Sequence, residues 1–319
     1  MEIDGLDVVL SRLKLQGRMR MKIIIPGGTG FIGTYLTRYF LKKDHSVTVI
    51  GTGTHPVAID HPAFDSVFAD TCHQGKWQEI FEKADVVINL TGKSIFKRWT
   101  KAYKTQIRDS RILTTRHVVA ALPDDRSVVL FSASAVGYYG NCGEDSVTER
   151  TPSADDFLGQ LGRDWEQEAQ VAERKGHRVI RMRFGVVFGK GGGPFQQMAK
   201  VFKRFAGGPI GNGRQWFPWI HLLDVARAIK YILNKKDLEG PFNFSSTHPL
   251  RNRDVARAFG HVLNRPAGLT APPFMLRFVL GEFADALLVG QRIVPDRLIK
   301  NGFSFRFPRL DNALDDLVS

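Results

Sequence analysis

The nine residues "SASAVGYYG", positions 132–140, bring two serine hydroxyls and two tyrosine phenols together directly after the apolar run "SVVLF". Such hydroxyls and phenols can hydrogen-bond a reacting oxygen and carry the proton that accompanies a hydride transfer. The same spacing is also typical of the packed end of a strand, where tyrosine rings serve as apolar bulk with one satisfied hydroxyl. The elements around the stretch decide between these interpretations.

A glycine-rich loop, "GGTGFIG", follows the apolar run "MKIIIP" and precedes a helical pattern. Gly27, Gly30 and Gly33 are spaced for a tight turn, for close approach of the backbone to a pyrophosphate and for helix–strand packing. Gly28 also completes a Gly-x-Gly-x-x-Gly motif. A helix that begins near Phe31 would direct its free N–H groups at the phosphates. The sequence therefore predicts a dinucleotide site.

The segment after the second predicted strand reads "VIGTGTH" and holds no acid. An NAD site usually carries an acid there, which holds the adenosine ribose hydroxyls and repels a 2′-phosphate. Thr52 or Thr54, with backbone N–H groups near Gly51, could bind that phosphate instead, so NADP(H) is favoured over NAD(H). Asp70, which ends the third strand, is placed to reach the adenine and could equally be a turn residue.

Short buried strands alternate with helical patterns through the first part of the chain. This alternation predicts an α/β fold of the Rossmann type, a doubly wound parallel sheet with helices on both faces. From about Gly191 glycine and proline become dense and the alternation ends. We expect a nucleotide-binding domain over residues 21–190 and a smaller C-terminal substrate-side lobe over residues 191–319, and the two could form one compact unit.

Two helices connect the later strands. The spacing predicts a long helix over residues 100–122 and a second helix with Ser153 as its N-cap and Gly176 at its end. After it, "HRVIRMRFGVVFG" predicts a single sixth strand. Residues 1–20 are set apart as a tail, because the chain could also start at Met19 or Met21.

The formal charge of +13 is compatible with nucleic acid, an anionic membrane surface or phosphorylated small molecules as partners. Its densest part, residues 93–116, contains eight Lys or Arg and a single acid, Asp109. No nucleic-acid motif accompanies this run, so a solvated helix face is favoured and nucleic acid is not expected as a partner.

The remaining composition bears on the compartment. No apolar stretch is long enough for a membrane span, and no secretory signal is recognisable, so no membrane partner is expected. Cys72 and Cys142 lie far apart without metal or redox spacing. We therefore expect a cytoplasmic protein with no metal site.

The segments "GGTGFIG", "INLTG", "SASAVGYYG" and "WIHLLDVARAI" together resemble the extended short-chain dehydrogenase/reductases, the NAD-dependent epimerase/dehydratase family. Others, among them "RWTKAYKTQIRDSRILTT", "GGPIGNGRQWFPWIH" and "GEFADALLVGQRIVPDRLIKNGFSFRFP", are similar to its atypical YfcH-like branch of nucleoside-diphosphate-sugar epimerases. The resemblance runs from Lys22 to the C-terminus. It implies a nicotinamide cofactor that exchanges hydride with a carbinol or carbonyl carbon.

The resemblance also implies site residues. The positions that would line the cofactor are Gly27, Gly30, Phe31, Ile32 and Gly33 at the pyrophosphate, Asn89, Leu90, Thr91 and Gly92 after the fourth strand, Ser132 on the fifth, and Arg183, Phe184, Gly185 and Val186 at the nicotinamide. Ser134 matches the serine that hydrogen-bonds the reacting oxygen in active members. Asp224 would begin the helix that anchors the second lobe.

Active members carry a Tyr-x-x-x-Lys pair on the helix after the serine strand, and this chain lacks it. The lysine lowers the pKa of the phenol, so that tyrosine can act as general acid or base near neutral pH. Here the helix reads "FLGQLGRDWEQEA", with Gly159 and Arg163 nearest to the two positions. Tyr138 or Tyr139 could compensate, provided that Arg163 or a base among residues 93–104 lowered the phenol's pKa. A further departure is "GTGTH", where this branch usually has an arginine.

The second lobe holds two substrate-binding candidates. Arg214, in the loop "GNGRQW", could pair bidentately with an anionic group. His221, in "WIH", could be an acid or base, although a histidine on an apolar strand is more often a hydrogen-bonded core residue. Glu166 has the simpler interpretation of a surface acid.

Two functions from different classes remain. The first is an NADP(H)-dependent oxidoreductase or epimerase that acts on a phosphate-bearing, anionic small molecule such as a nucleotide sugar. In it Ser134 would polarise the reacting oxygen, and Tyr138, Tyr139 or a water would move the proton. The second is a catalytically impaired dinucleotide-binding regulator or scaffold, favoured by the missing pair. The sequence identifies neither the substrate nor the oligomeric state, and a homodimer is one assembly that it allows.

Overall fold

The structure, a computed structural model, describes residues 20–53 and 58–319. Its centre is a seven-stranded sheet in the order β11-β7-β5-β4-β1-β2-β3, with every neighbouring pair parallel. The strands of the chain are β1 (Lys22–Pro26), β2 (Ser46–Gly51), β3 (Phe64–Phe68), β4 (Val86–Asn89), β5 (Val129–Ala135), β6 (Ser146–Val147), β7 (Arg178–Phe184), β8 (Val186–Phe188), β9 (Trp216–Phe217), β10 (Trp219–His221), β11 (Gly240–Phe244), β12 (Leu250–Arg251) and β13 (Arg292–Ile293). The predicted Rossmann-type sheet is confirmed.

Helices cover both faces of this sheet. They are α1 (Phe31–Leu41), α2 (Lys101–Ala120), α3 (Phe157–Arg174), α4 (Gly193–Lys203), α5 (Leu222–Leu233), α6 (Asn252–Leu263), α7 (Pro273–Leu280), α8 (Phe283–Leu288), α9 (Asp296–Lys300) and α10 (Leu310–Val318). Side chains alternate along β1, so Ile23 and Ile25 pack with α1 and α5 while Ile24 packs with α2 and α3. Two apolar layers therefore enclose the sheet. Because the strands are parallel, their carboxyl ends all lie along one edge of it.

The chain after residue 190 builds a second core and also returns to the sheet. Phe188, Trp219 and Phe259 are fully or almost fully buried in an aromatic cluster between α4, α6 and α10. β11 then pairs with β7 as the edge strand of the main sheet. At the start of α5, Asp224 accepts hydrogen bonds from the backbone N–H groups of Arg306 (2.7 Å) and Phe307 (2.8 Å). This carboxylate fastens the C-terminal segment to the sheet.

Two predicted boundaries are wrong. α3 begins four residues after the predicted cap, because Asp156 is the N-cap and its Oδ1 accepts from the N–H of Gly159 at 2.8 Å, while Ser153 Oγ accepts from Arg163 Nη1 at 3.2 Å. The sixth strand is divided at Gly185, whose missing Cβ would lie 2.9 Å from Pro218 O. The close approach of that backbone turns β8 to β10 and away from the main sheet.

Some of the features singled out in the sequence fall outside this description. Residues 1–19, most of the predicted tail, and Thr54 lie outside the described residues. Within the described part, no helix has the length and apolarity needed to cross a bilayer. The same residues contain no cluster of side chains suited to a metal ion, and Cys72 and Cys142 are free thiols.

Candidate functional site

The loop between β1 and α1 lies directly against the end of β4. Gly27 has φ +76°, and a Cβ there would lie 2.8 Å from both Leu90 C and Thr91 N. A Cβ on Gly33 would lie 2.5 Å from Gly28 Cα, so the helix could not approach the loop with any side chain at this position. These glycines permit the close contact that the spacing predicts.

The first turn of α1 has free backbone donors. Gly30 is its N-cap and supplies no capping side chain, and the first turn holds no acid. The N–H groups of Phe31, Ile32 and Gly33 stand at the positions of a helix that have no intrahelical acceptor. Together with the positive end of the helix dipole, they suit a pyrophosphate.

Two buried hydroxyls near this loop have no hydrogen-bond partner within the described residues, Thr91 Oγ1 and Ser132 Oγ. Ser132 stands opposite Asn89 in the β4–β5 register. The Asn89 amide is fully buried, accepts from Thr91 N at 3.2 Å and donates to Thr115 Oγ1 at 3.0 Å. Because buried polar atoms are rarely left unpaired, the two hydroxyls indicate a polar ligand at the strand ends. The residues present therefore fit a dinucleotide.

The end of β2 is the segment where an NAD site usually carries an acid, and the preference for NADP(H) drawn from it stays a prediction. Residues 51–53 hold no acid, and Thr52 is exposed. Gly51 lies against Thr29, since a Cβ there would be 2.3 Å from Thr29 Oγ1. Asp70 accepts from the N–H of Cys72 at 3.0 Å, and this bond lowers the pKa of its carboxyl. Asp70 thus stabilises its own turn, and its predicted contact with adenine stays a prediction.

Ser134 and Tyr139 belong to one buried hydrogen-bond network. Ser134 Oγ donates to Glu166 Oε1 at 2.7 Å, and Arg183 forks onto the same carboxylate through Nε (2.7 Å) and Nη2 (2.8 Å). Arg183 Nη1 also donates to Tyr139 Oη at 2.8 Å, and Tyr139 donates to Asn243 Oδ1 at 2.6 Å. Burial raises the pKa of Tyr139 well above its usual range, although the Arg183 charge opposes it. Tyr139 is therefore held as a neutral phenol.

Glu166 is not the surface acid that the sequence suggests. Its residue is only 5% exposed, and Arg183 is 3% exposed. Burial disfavours both charges, and the two parallel hydrogen bonds compensate each of them. Burial alone would lower the pKa of Arg183, but its hydrogen bonds to Glu166 and the Glu166 charge outweigh that effect and raise it.

Tyr138 differs from its neighbour. It is half-buried, and its hydroxyl has no hydrogen-bond partner among the residues that the structure describes. The Arg183 Cζ lies 3.7 Å from its ring centroid. A Cβ on Gly162 would lie 3.2 Å from Tyr138 Cα, Cβ and Cδ2, so a glycine on α3 leaves the space that this tyrosine fills. The cation beside the phenol is thus Arg183, whereas Arg163 donates elsewhere.

The C-terminal segment braces this network from outside. β13 pairs in parallel with β6, and Gln291 Nε2 donates to the carbonyl of Gly140. Asn243 Nδ2 donates to Val294 O at 3.0 Å, and Asn243 N donates to Glu149 Oε1 at 2.9 Å. The turn that carries both tyrosines therefore depends on residues about 150 positions later in the chain.

The structure separates the remaining candidates. Phe184 is half-buried at the end of β7, with its ring centroid 5.2 Å from that of Phe244. Arg214 is exposed in its loop. His221 is buried as the N-cap of α5, with Nδ1 accepting from Leu223 N at 3.1 Å, and burial lowers its pKa. His221 thus has a structural role in capping α5, and substrate contact by Arg214 or His221 stays a prediction.

The basic run on α2 faces acids of other helices. Arg108 pairs with Asp164 at 3.1 Å, Arg116 with Glu168 at 2.5 Å, and Lys104 with Glu282 at 2.6 Å. The first two acids are on α3, which packs along α2. Three of these basic side chains are therefore paired with acids, which leaves fewer unpaired positive charges on the surface of α2.

Fold and site together define the class: an α/β protein of the short-chain dehydrogenase/reductase type with a nicotinamide dinucleotide site at the strand ends. A model described as the NAD dependent epimerase/dehydratase family matches residues 23–244, and a domain of unknown function (DUF1731) matches residues 271–317. The chain belongs to the NAD-dependent epimerase/dehydratase family.

Individual relatives agree with this assignment. The epimerase family protein SDR39U1 homolog, chloroplastic, of Arabidopsis thaliana is 35% identical over 94% of this chain and 87% of its own length. The epimerase family protein YfhF of Bacillus subtilis is 35% identical over 94% of this chain and 98% of its own. A crystal structure of human epimerase family protein SDR39U1 with NADPH has a TM-score of 0.81 and 30% identity, covering 93% of this chain and 99% of the human one.

Proposed function

We propose that the protein is an NADP(H)-dependent oxidoreductase or epimerase for an anionic small molecule such as a nucleotide sugar. The observation that carries the proposal is the Tyr138 phenol, which has no hydrogen-bond partner among the described residues, lies over Arg183 and directly follows β5, the strand that carries the unpaired Ser132 hydroxyl. The preference for NADP(H) is supported by the lack of an acid in residues 51–53 and by the NADPH in the human relative. The cytoplasm is the proposed compartment, supported by the free cysteines.

The cofactor would be held by groups already described. The N–H groups of α1 would bind the pyrophosphate, and Thr91 and Ser132 would donate or accept at the sugar and nicotinamide side. A bound nicotinamide dinucleotide supplies the hydride donor or acceptor. The close packing of Gly27 on the β4 end holds the loop against the sheet, so the α1 donors keep a fixed position.

Tyr138 would carry the proton. Its phenol gives a proton to a substrate oxygen that becomes a hydroxyl, or takes one from a hydroxyl that becomes a carbonyl. The Arg183 Cζ lies 3.7 Å from the ring centroid and packs on the ring face, so Arg183 positions the phenol. Tyr139 is the weaker candidate, because its hydroxyl already has two partners.

Ser134 stands one step back from the substrate. Its hydroxyl donates to Glu166, and its residue is 2% exposed. In the proposed mechanism it holds the Glu166 carboxylate, which orients Arg183 beneath Tyr138. Direct polarisation of the reacting oxygen by Ser134 remains the alternative, and Ser134→Ala tests it: a positioning role leaves some turnover.

The test uses NADPH deuterated at nicotinamide C4, mixed with the purified protein and a small-molecule cell extract. Mass spectrometry then looks for deuterium in any metabolite. We expect label that requires protein and falls by about a hundredfold or more in Tyr138→Phe, with NADPH retention unchanged. Tyr139→Phe is the matched control and should keep most of the transfer. Equal transfer by wild type and Tyr138→Phe would remove Tyr138 from the mechanism.

A regulator without catalysis is the second candidate, and one observation favours it. Ser134, Tyr139 and Arg183 are all engaged with one another or with Glu166 and Asn243, as in a structural core. In the same experiment a regulator would retain NADPH and move no label into any metabolite.

A further inference from the structure

Helix α7 contains no buried residue, whereas every other helix that the structure describes buries at least one. Phe274 is 72% exposed and Phe278 is 79% exposed. Met275 and Val279 are each more than half exposed as well. Residues four positions apart lie on the same side of a helix, so these four side chains form one apolar face that is open to solvent.

Two further exposed side chains flank this face. Leu269 lies before α7, in a segment that is fixed by a hydrogen bond from Ala271 N to Pro209 O at 2.9 Å. Phe96 lies beside the other end of α7, with its ring centroid 5.5 Å from that of Phe283 at the start of α8. The α7 surface is the name used below for six side chains: Phe96, Leu269, Phe274, Met275, Phe278 and Val279.

Both halves of the chain contribute to the α7 surface. Phe96 belongs to the loop after β4, and the other five residues belong to the C-terminal lobe. Arg98 Nη1 donates to Phe278 O at 2.6 Å, and Trp99 N donates to Leu280 O at 3.1 Å. These bonds attach α7 to the loop through its backbone and leave its apolar side chains without a partner surface.

The single charged residue of α7 is paired within the chain. Arg277 forms an ion pair with Asp285 at 2.9 Å, and close to it Lys104 forms one with Glu282 at 2.6 Å. A helix that lies on an anionic bilayer usually has a polar face rich in Lys and Arg. Because α7 has only one base and that base is neutralised, an apolar protein surface fits it better than a membrane.

The exposed area is close to what one copy contributes to a stable dimer. A phenylalanine side chain has about 150–250 Å² of surface, so at the observed exposures the three rings and three aliphatic side chains present on the order of 700 Å². A standard interface buries about 800 Å² on each partner. In a twofold dimer the same patch of each copy meets its counterpart, and uncharged apolar side chains are complementary to themselves.

We propose that the α7 surface is the contact between two copies of this chain in a twofold homodimer. The Phe274 and Phe278 rings of each copy pack against the apolar side chains of the other. This inference goes beyond the proposed reaction and does not depend on it. The dimer spans the junction of the two halves, and it holds the loop of residues 93–99, which follows the predicted cofactor-lining residues 89–92.

The test is sedimentation velocity of the full-length protein over a dilution series. We expect wild type to form a concentration-dependent dimer. Phe278→Glu should weaken this dimer by about a hundredfold or more, because it places a carboxylate within the apolar contact. Phe68→Glu is the matched control: Phe68 is 67% exposed on the edge strand β3, outside the α7 surface, and its replacement should change the dissociation constant by less than about twofold.

Thermal unfolding gives a second readout. The melting temperature of a dimer rises with protein concentration, so wild type and Phe68→Glu should show this dependence and Phe278→Glu should lose it. Circular dichroism checks the fold of each variant, and Phe274→Glu takes the place of Phe278→Glu if the latter unfolds.

Three results would overturn the proposal. The first is wild type that stays monomeric throughout the dilution series. The second is a dimer that Phe278→Glu and Phe274→Glu both leave intact, since the contact would then lie on another face. The third is a monomeric wild type that floats with vesicles of phosphatidylcholine and phosphatidylserine while Phe278→Glu does not, which would assign the α7 surface to a membrane.

Discussion

Arg183 is buried and Arg111 is half-buried, both close to the carboxyl ends of the strands, and their surroundings differ in one respect. Arg183 has a carboxylate in bidentate contact, a phenol oxygen and a backbone carbonyl, so its donors are engaged by the protein itself. Arg111 donates through one nitrogen to two backbone carbonyls and has no carboxylate partner among the described residues. Burial lowers the pKa of Arg111, whereas Glu166 raises that of Arg183.

The difference distinguishes an arginine that is neutralised within the fold from an arginine that has no counter-charge. A guanidinium that is neutralised within the fold holds side chains in place and offers little to a ligand, as Arg183 does beneath Tyr138. A guanidinium without a counter-charge is costly to keep and gains the most from an incoming anion. Charge counts along the sequence treat the two residues alike, and only the contacts distinguish them.

The largest expected effect comes from removing the partner of Arg183. Glu166→Ala should lower the free energy of unfolding by roughly 3–5 kcal/mol, because it leaves a buried cation without its carboxylate. Arg111→Met, which removes a cation that has no such partner, should change it by less than about 1 kcal/mol. Urea denaturation measures both. Similar losses in the two variants would erase the distinction between the two arginines.

A smaller effect should separate the two neighbouring tyrosines on the Arg183 side. Tyr139→Phe removes a buried hydroxyl with two partners and leaves Asn243 Oδ1 without its donor, so we expect a loss of about 1–3 kcal/mol. Tyr138→Phe removes a hydroxyl that has no such partners and should stay within about 0.5 kcal/mol of wild type. If Tyr138→Phe were the more destabilising change, Tyr138 would belong to the framework.

The smallest effect on stability is expected from a change of pH, through the buried imidazole of His177. Burial lowers the pKa of His177 from 6.5, and the Lys175 charge adds to this, so the unfolded chain binds a proton there more readily than the folded chain. Stability should therefore fall as the pH drops below about 6.5. His177→Gln should flatten this part of the pH profile in urea titrations. A profile unchanged by the substitution would mean that another group causes the loss.

Local patterns predicted the glycine loop and the helix that follows it. Gly27, Gly30 and Gly33 act within one loop, so their spacing alone indicates the turn and the helix start. Six strands of the main sheet were equally predictable, since each is a short apolar run between turn residues, whereas the edge strand β11 lies beyond the point where the alternation was expected to end. Helix starts are less certain, because several capping residues often stand close together. In "SADD" the cap is Asp156 and not Ser153.

The buried network around Arg183 depends on contacts between distant residues. Glu166 and Arg183 lie 17 positions apart on different elements, and Tyr139 and Asn243 lie 104 apart. One local signal did exist: Gly162, Trp165, Ala169 and Ala172 are buried at helical spacing, which puts Glu166 on the buried side of α3. A buried acid implies a cation, but no spacing identifies Arg183 as that cation.

The contacts of residues 291–297 with the tyrosine turn have a consequence for the stage of synthesis at which the site can form. A ribosome releases the sheet strands and both tyrosines well before residues 291–297, which hold Gly140, Asn243 and Glu149 in place. Because domains emerge from the N-terminus onward, a nascent chain can form the dinucleotide loop while the tyrosine turn still lacks its support. Completion of the site thus coincides with the end of translation, and a truncated product would retain the cofactor loop without the finished network.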